Sequence, residues 1–239
     1  MWVNHLPQRS ALFVLGMVIN SFGIAFITKA GLGTSQISSI PYVLSLEFPV
    51  SFGMTTFCVN MLWIVLQMVL LRGRFHPSQL LQVPVNVLFS VLIDVSMGLL
   101  WFLQPVGWWQ RVLSVVVGCA ILALGNVIEV APNVVMVPGE GIVRALSIVT
   151  GGRFGTVKVV FDVTLIAVAV VMSFVFFGRL EGVGVGTVVS ALLVGTMINA
   201  INRTFRFPSR ISALALSDDD GDVSDVPNRH DVGGYTLSK

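Results

Sequence analysis

Charge is what this sequence has least of. Only 11% of its 239 residues are Asp, Glu, Lys or Arg, against about 25% in a soluble globular domain. A water-facing surface cannot be built from that supply, so lipid must be the solvent for most of the chain. The net charge of +2 is too small to call for nucleic acid. The basic residues lie near the ends of apolar runs, which suits membrane orientation better than a binding face. Histidine is scarce, and His5, His76 and His230 fall in terminal or loop positions. Cys58 and Cys119 sit inside apolar runs with no CxxC or His spacing. They read as small buried hydrophobes. The sequence therefore offers no metal ligand set and no cofactor site. HExxH, GxSxG and Walker patterns are missing, so an enzyme is not expected. The glycines of 182–186 lack the βαβ surroundings of a dinucleotide fingerprint.

Hydrophobic residues are abundant, at 55%. A spanning helix needs about 20 mainly apolar residues. Six runs meet that length, roughly 10–29, 52–72, 79–102, 109–130, 155–177 and 183–203. The first is too long for a signal-peptide core, whose apolar region is about 7–15 residues, and reads as a retained helix. Two shorter pieces, 34–47 and 138–150, are too short to cross and read as re-entrant or half helices. After Arg210 the composition turns acidic and rich in Gly, Asp and Ser, which predicts a disordered cytoplasmic tail over 211–239.

The chain also repeats itself. Shifted by 102 positions, Gln8, Arg9, Gly16, Ile19 and Gly23 meet Gln110, Arg111, Gly118, Ile121 and Gly125. Farther on, Ile40, Leu44, Ser45, Phe52 and Gly53 meet Ile142, Leu146, Ser147, Phe154 and Gly155, and Asn60 meets Asp162. With three more positions of shift, Gly73-Arg74 meets Gly178-Arg179 and Asp94 meets Asn199. The expected fold is all-α and membrane-embedded. It has about six transmembrane helices plus two short ones, as an inverted 3+3 repeat of residues 1–105 and 106–210. Three spans per half force the second copy to insert upside down. With the N-terminus inside, Arg9, Arg72, Arg74, Arg153, Lys158, Arg203, Arg206 and Arg210 are cytoplasmic, and Lys29, Arg111 and Arg179 are outside, as the positive-inside rule asks. Trp101, Trp108 and Trp109 bracket an uncharged outer loop.

Inverted repeats with interrupted helices are common among secondary transporters, which bind substrate near the midplane at half-helix ends. The interruption at A-G-L-G-T-S (30–35) gives Gly31 and Gly33 a role as a turn. Thr34 or Ser35 is then a cap for the short helix that follows, whose N-terminus would suit an anion. The alternative is a tight external turn with an interfacial helix. Its counterpart is M-V-P-G-E-G-I (136–142), with Pro138, Gly139 and Gly141 as breakers. Glu140 and Arg144, four apart, form either a gate pair or a surface ion pair. Asn60 and Asp162 occupy equivalent depths. Lys158, four residues before Asp162, makes either an internal pair with it or part of a substrate or proton site. Asp94, Asn199, Asn86 and Asn202 read as inter-helix hydrogen-bonding groups, and G-V-G-V-G-T (182–187) as close helix packing.

The A-G-L-G-T-S after the first helix, the P-x-E-G-I that starts the second short segment and the G-V-G-V-G-T opening the last helix resemble the YczE/YyaS/YitT family of bacterial multi-pass membrane proteins, in its YczE-like branch. The likeness covers about 9–205. One departure is that 77–82, P-S-Q-L-L-Q, stands where the second half has G-V-G-V-G-T. The resemblance implies an inner-membrane protein and defines no substrate. The expectation is thus a small secondary transporter or exporter of the bacterial inner membrane, with both termini cytoplasmic. Its partners would be the lipid bilayer and an unidentified small molecule, with a homodimer as a further option. The alternative is a membrane scaffold or modulator that does not transport.

Overall fold

The computed structural model describes residues 6–75 and 77–204, and every regular element among them is helical. Eight α-helices follow in chain order: α1 Leu6–Lys29, α2 Ser39–Glu47, α3 Phe52–Leu71, α4 Gln82–Leu99, α5 Trp108–Val130, α6 Pro138–Thr150, α7 Phe154–Phe177 and α8 Val185–Thr204. Short 3-10 turns at Arg72–Arg74 and Pro77–Leu81 link α3 to α4. Six of the helices are long and apolar enough to cross a membrane: α1, α3, α4, α5, α7 and α8. Trp101, just after α4, and Trp108 and Trp109, which open α5, are exposed. Expected runs and observed spans coincide, and α2 and α6 are the two short elements. The proposed tail, Arg206 and Arg210 lie outside the described residues, as do His5, His76 and His230.

The local causes are visible at the helix ends. The Ser51 hydroxyl accepts from Met54 N (3.1 Å) and starts α3. Asp94 of α4 strengthens that start by accepting from Gly53 N (2.7 Å) and the Ser51 hydroxyl (2.6 Å). A carboxylate at a helix N-terminus satisfies free N–H groups and the helix dipole together. Pro138 opens α6, where its missing N–H costs nothing. α2 differs from expectation: Ser38 holds its N-cap position without a side-chain cap, so neither Thr34 nor Ser35 caps it. Ser35 instead bonds Ser38, hydroxyl to hydroxyl, at 2.9 Å.

The centre of the molecule is the antiparallel crossing of α1 and α5. Glycine lets the two backbones approach where lipid gives no hydrophobic drive between helices. A Cβ at Gly16 would lie 2.5 Å from Glu129 N, and one at Gly23 2.5 Å from Leu122 N. From the other side, a Cβ at Gly118 would lie 2.9 Å from Ile27 N, and one at Gly125 2.5 Å from Asn20 N. Adding 102 to Gly16 and Gly23 gives Gly118 and Gly125, and subtracting it from Glu129 and Leu122 gives Ile27 and Asn20. Each half therefore offers the same two glycines to the same two positions of the other. The pairings among the other helices follow the same exchange: α1 with α4 and α5 with α8, α3 with α6 and α7 with α2, α2 with α3 and α6 with α7.

One seam breaks the pattern. α3 packs along α4, but α7 and α8 share no comparable contact among the described residues. Polar bonds run up the first seam. Asn60 Nδ2 donates to Asn86 Oδ1 (2.8 Å), and Asn86 Nδ2 donates to the Phe57 carbonyl (3.1 Å). Gln67 and Gln82 exchange amide bonds at 3.2 Å, and Gln67 also donates to the Pro138 carbonyl at the start of α6 (3.1 Å). The corresponding positions on α7 and α8 cannot reproduce this, because Ala169 stands for Gln67 and Ala191 for Asn86.

Candidate functional site

The two interrupted segments do different things. Around 30–35 the gap is filled by the chain itself. Gly33 has φ +119°, a conformation open to glycine, and a Cβ there would strike the Thr187 hydroxyl. The start of α8 docks on this turn. Gly186 N donates to the Leu32 carbonyl (2.8 Å), and Thr34 N donates to Thr187 Oγ1 (3.2 Å). Thr28 and Thr34 join their hydroxyls at 2.7 Å, and Ser190 Oγ donates to the Thr34 carbonyl (3.4 Å). Thr34 and Ser35 are buried, Gly31 is exposed, and of the N–H groups expected to be free here Thr34's is spent on α8. The G-V-G-V-G-T motif thus acts as a plug for A-G-L-G-T-S.

The second segment carries no such plug. Between Val130 and Pro138 the chain borders a partly open pocket of about 40 Å³, lined by Glu129, Val130, Asn133, Met136, Val137 and Glu140 among others. Arg9, near the start of α1, holds this loop by donating to the carbonyls of Pro132 (3.0 Å) and Asn133 (3.2 Å). Its repeat counterpart, Arg111, instead donates to the Pro105 carbonyl (3.2 Å).

Glu129 dominates the cavity. It is 4% exposed. One carboxylate oxygen accepts from Asn20 Nδ2 at 2.5 Å, and that amide also donates to Asn126 Oδ1 at 2.8 Å. The other oxygen, Oε1, is buried without a partner. Glu129 lies against Gly16, ten residues into α1, which is about 15 Å along a 24-residue helix at 1.5 Å per residue. It therefore sits near the middle of α1 although it is one residue from the end of α5. Sequence reasoning missed it because a Glu at the end of an apolar run reads as interfacial. Under the 102-residue shift Asn20, Asn126 and Glu129 correspond to Leu122, Ile24 and Ile27, so the polar cluster exists in one half only.

The remaining sequence candidates separate into groups. Gly139 and Pro138 are buried at the start of α6, and Gly139 abuts Ile37, its partner under the repeat shift. Glu140 is half-buried, and its electrostatic neighbours are Lys158 and Asp162 of α7 and Glu129 of α5. Lys158 and Asp162 bond each other at 2.7 Å, with side chains 29% and 17% exposed, which is the internal-pair reading. Glu140 and Arg144 form no ion pair, and Arg144 is exposed. Asn60 is engaged with Asn86 in the α3–α4 seam and does not join Asp162. Among the described residues no three His, Cys, Asp or Glu side chains converge as metal ligands would.

No curated protein and no solved structure matches this chain. A family does match, over residues 7–203, which takes in all eight helices except the first residue of α1 and the last of α8. The chain belongs to the family of unknown function DUF6198.

Proposed function

We propose that this integral membrane protein is a small secondary transporter of the bacterial inner membrane, built as an inverted 3+3 repeat with its binding region between the repeats. The observation that carries the reading is the meeting of Ile37 with Gly139. Those residues are 102 apart and lead the two short helices, so the two interrupted segments meet there. Reciprocal glycine contacts in an antiparallel helix pair support a two-fold axis across the helices, which is the axis of inverted transporter repeats. Interrupted backbone at membrane depth is tolerated where protein or water covers it. The YczE-like resemblance is in keeping with a bacterial multi-pass protein. Arg72, Arg74 and Arg153 on one side, with the tryptophans of 101–109 on the other, support cytoplasmic termini.

The substrate region on this reading is the second interrupted segment, Pro138, Gly139 and Glu140, with Lys158 and Asp162 behind it. The carboxylates there favour a cationic ligand over the anion suggested by bare helix ends. Purified protein in proteoliposomes on a solid-supported membrane tests the reading. Steps of pH, sodium, ethylammonium and guanidinium should evoke transient currents above those of empty liposomes. Silence to all four, with the protein shown to be inserted and folded, would favour the non-transporting scaffold.

A further inference from the structure

Glu129 presents a problem that the rest of the fold does not answer. A carboxylate removed from water needs a compensating charge or a full set of hydrogen bonds, and costs several kcal/mol without them. Here one oxygen has the Asn20 amide and the other is buried with no partner, in a residue that borders a small pocket. A second carboxyl, Glu140, lines the same cavity. The cations in reach are committed elsewhere: Lys158 is bonded to Asp162, and Arg9 is bonded to the loop carbonyls. α8, which packs on α5, brings no charged residue before Arg203. The remaining basic residue of α1, Lys29, lies thirteen positions beyond Gly16.

Size then limits what can enter. A water molecule's share of liquid volume is about 30 Å³, whereas sites for drug-sized ligands run to about 300–1,000 Å³. The pocket beside Glu129 has about 40 Å³ of water-accessible space, room for a few waters or a small ion and far too little for such a ligand. Two carboxyls repel an anion. A neutral molecule would leave the charge uncompensated.

We propose that Glu129, with Asn20 and Glu140, forms the coupling-ion site of this protein, taking up one small monovalent cation, a proton or a sodium-sized ion. The role as a coupling site rests on the transport reading above; the cation site itself does not. Oε1 receives the cation, Asn20 fixes the carboxylate through Oε2, and Glu140 supplies the second negative pole. The site's position between α1, α5 and the loop into α6 makes its occupancy felt by all three. Because Leu122, Ile24 and Ile27 stand at the equivalent positions, the other half holds no second site.

Infrared difference spectroscopy on the full chain in lipid tests this without requiring flux. Lowering the pH should raise a protonated-carboxyl band that Glu129→Gln abolishes. If sodium added at fixed pH suppresses that band, the ion is sodium competing with the proton. If sodium leaves it unchanged, the ion is the proton. Should Glu129→Gln fail to fold, Glu129→Asp must shift the band. An identical band in wild type and the folded variant overturns the proposal. A Glu129 signal in a protein that passes no current keeps the site and removes transport. Currents with no Glu129 signal do the reverse.

Discussion

The α1–α5 crossing makes the strongest quantitative demand on the structure. Consider Gly23→Ala. Its Cβ would lie 2.5 Å from Leu122 N, and ordinary contact begins near 3.4 Å, so the helices must part by about 1 Å. Overpacking of this kind costs about 1–3 kcal/mol. The same displacement would stretch the Asn20–Glu129 bond from 2.5 Å towards the limit of hydrogen bonding, and a bond to a charged group contributes about 1.5–3 kcal/mol. The two effects share one movement and do not simply add, so about 3 kcal/mol is the expected loss. At roughly 2–4 °C per kcal/mol for a chain of this size, melting should fall by about 6–12 °C. Gly125→Ala, whose Cβ meets Asn20 N at 2.5 Å, should lose a similar amount. Gly195→Ala in α8 is the control, since nothing lies within 4 Å; it should be neutral or gain up to about 1 kcal/mol from helix propensity. Thermal melting of the purified protein in one detergent compares all three. Gly23→Ala and Gly125→Ala melting with Gly195→Ala would refute the close approach, and with it the position of Glu129.

Four further outcomes follow from the same geometry. Asn86→Ala should destabilise by about 1–3 kcal/mol, because it strands the buried Asn60 amide; adding Asn60→Ala should cost little more, as a double-mutant cycle of melting temperatures will report. Lys158→Gln should lower the melting temperature by leaving Asp162 unpaired in a spanning helix, and Lys158→Gln with Asp162→Asn should recover most of the loss. Thr187→Val should destabilise and expose the plugged turn, raising hydrogen exchange at Thr34 and Gly184, whose N–H groups donate to that hydroxyl. Arg144→Ala, exposed and unpaired with Glu140, should stay within about 0.5 kcal/mol of wild type.

Much of this architecture can be read from residue pattern alone. Length and apolarity mark six spans, and glycine and proline mark the two short helices. The 102-residue shift relates the glycines of α1, Gly16 and Gly23, to those of α5, Gly118 and Gly125, which the two helices present to each other. Side-chain partnership is a different matter. Asn60 and Asp162 correspond under the 102-residue shift, but correspondence in sequence does not place two side chains in contact: Ile37 and Gly139 meet, while Asn60 bonds Asn86 and Asp162 bonds Lys158. The four-residue spacing of Glu140 and Arg144 permits a pair, yet Glu140 faces α7 while Arg144 points outward. Glu129 is invisible for a related reason. Its depth depends on how far α1 overhangs α5, a tertiary property that no window of sequence contains.

The difference between the two seams divides the molecule mechanically. Amide bonds rivet α3 to α4, and a carboxylate ties α4 back to the start of α3. The opposite pair is held at its flanks: α7 leans on α2 and α6, the start of α8 is clamped to the α1–α2 turn, and Ser173 secures the connecting stretch by bonding the Arg179 and Glu181 backbones. A displacement that opened the first flank would have to break that ladder. Between α7 and α8 the described residues hold no such ladder, so the two flanks of the molecule are fastened by different means.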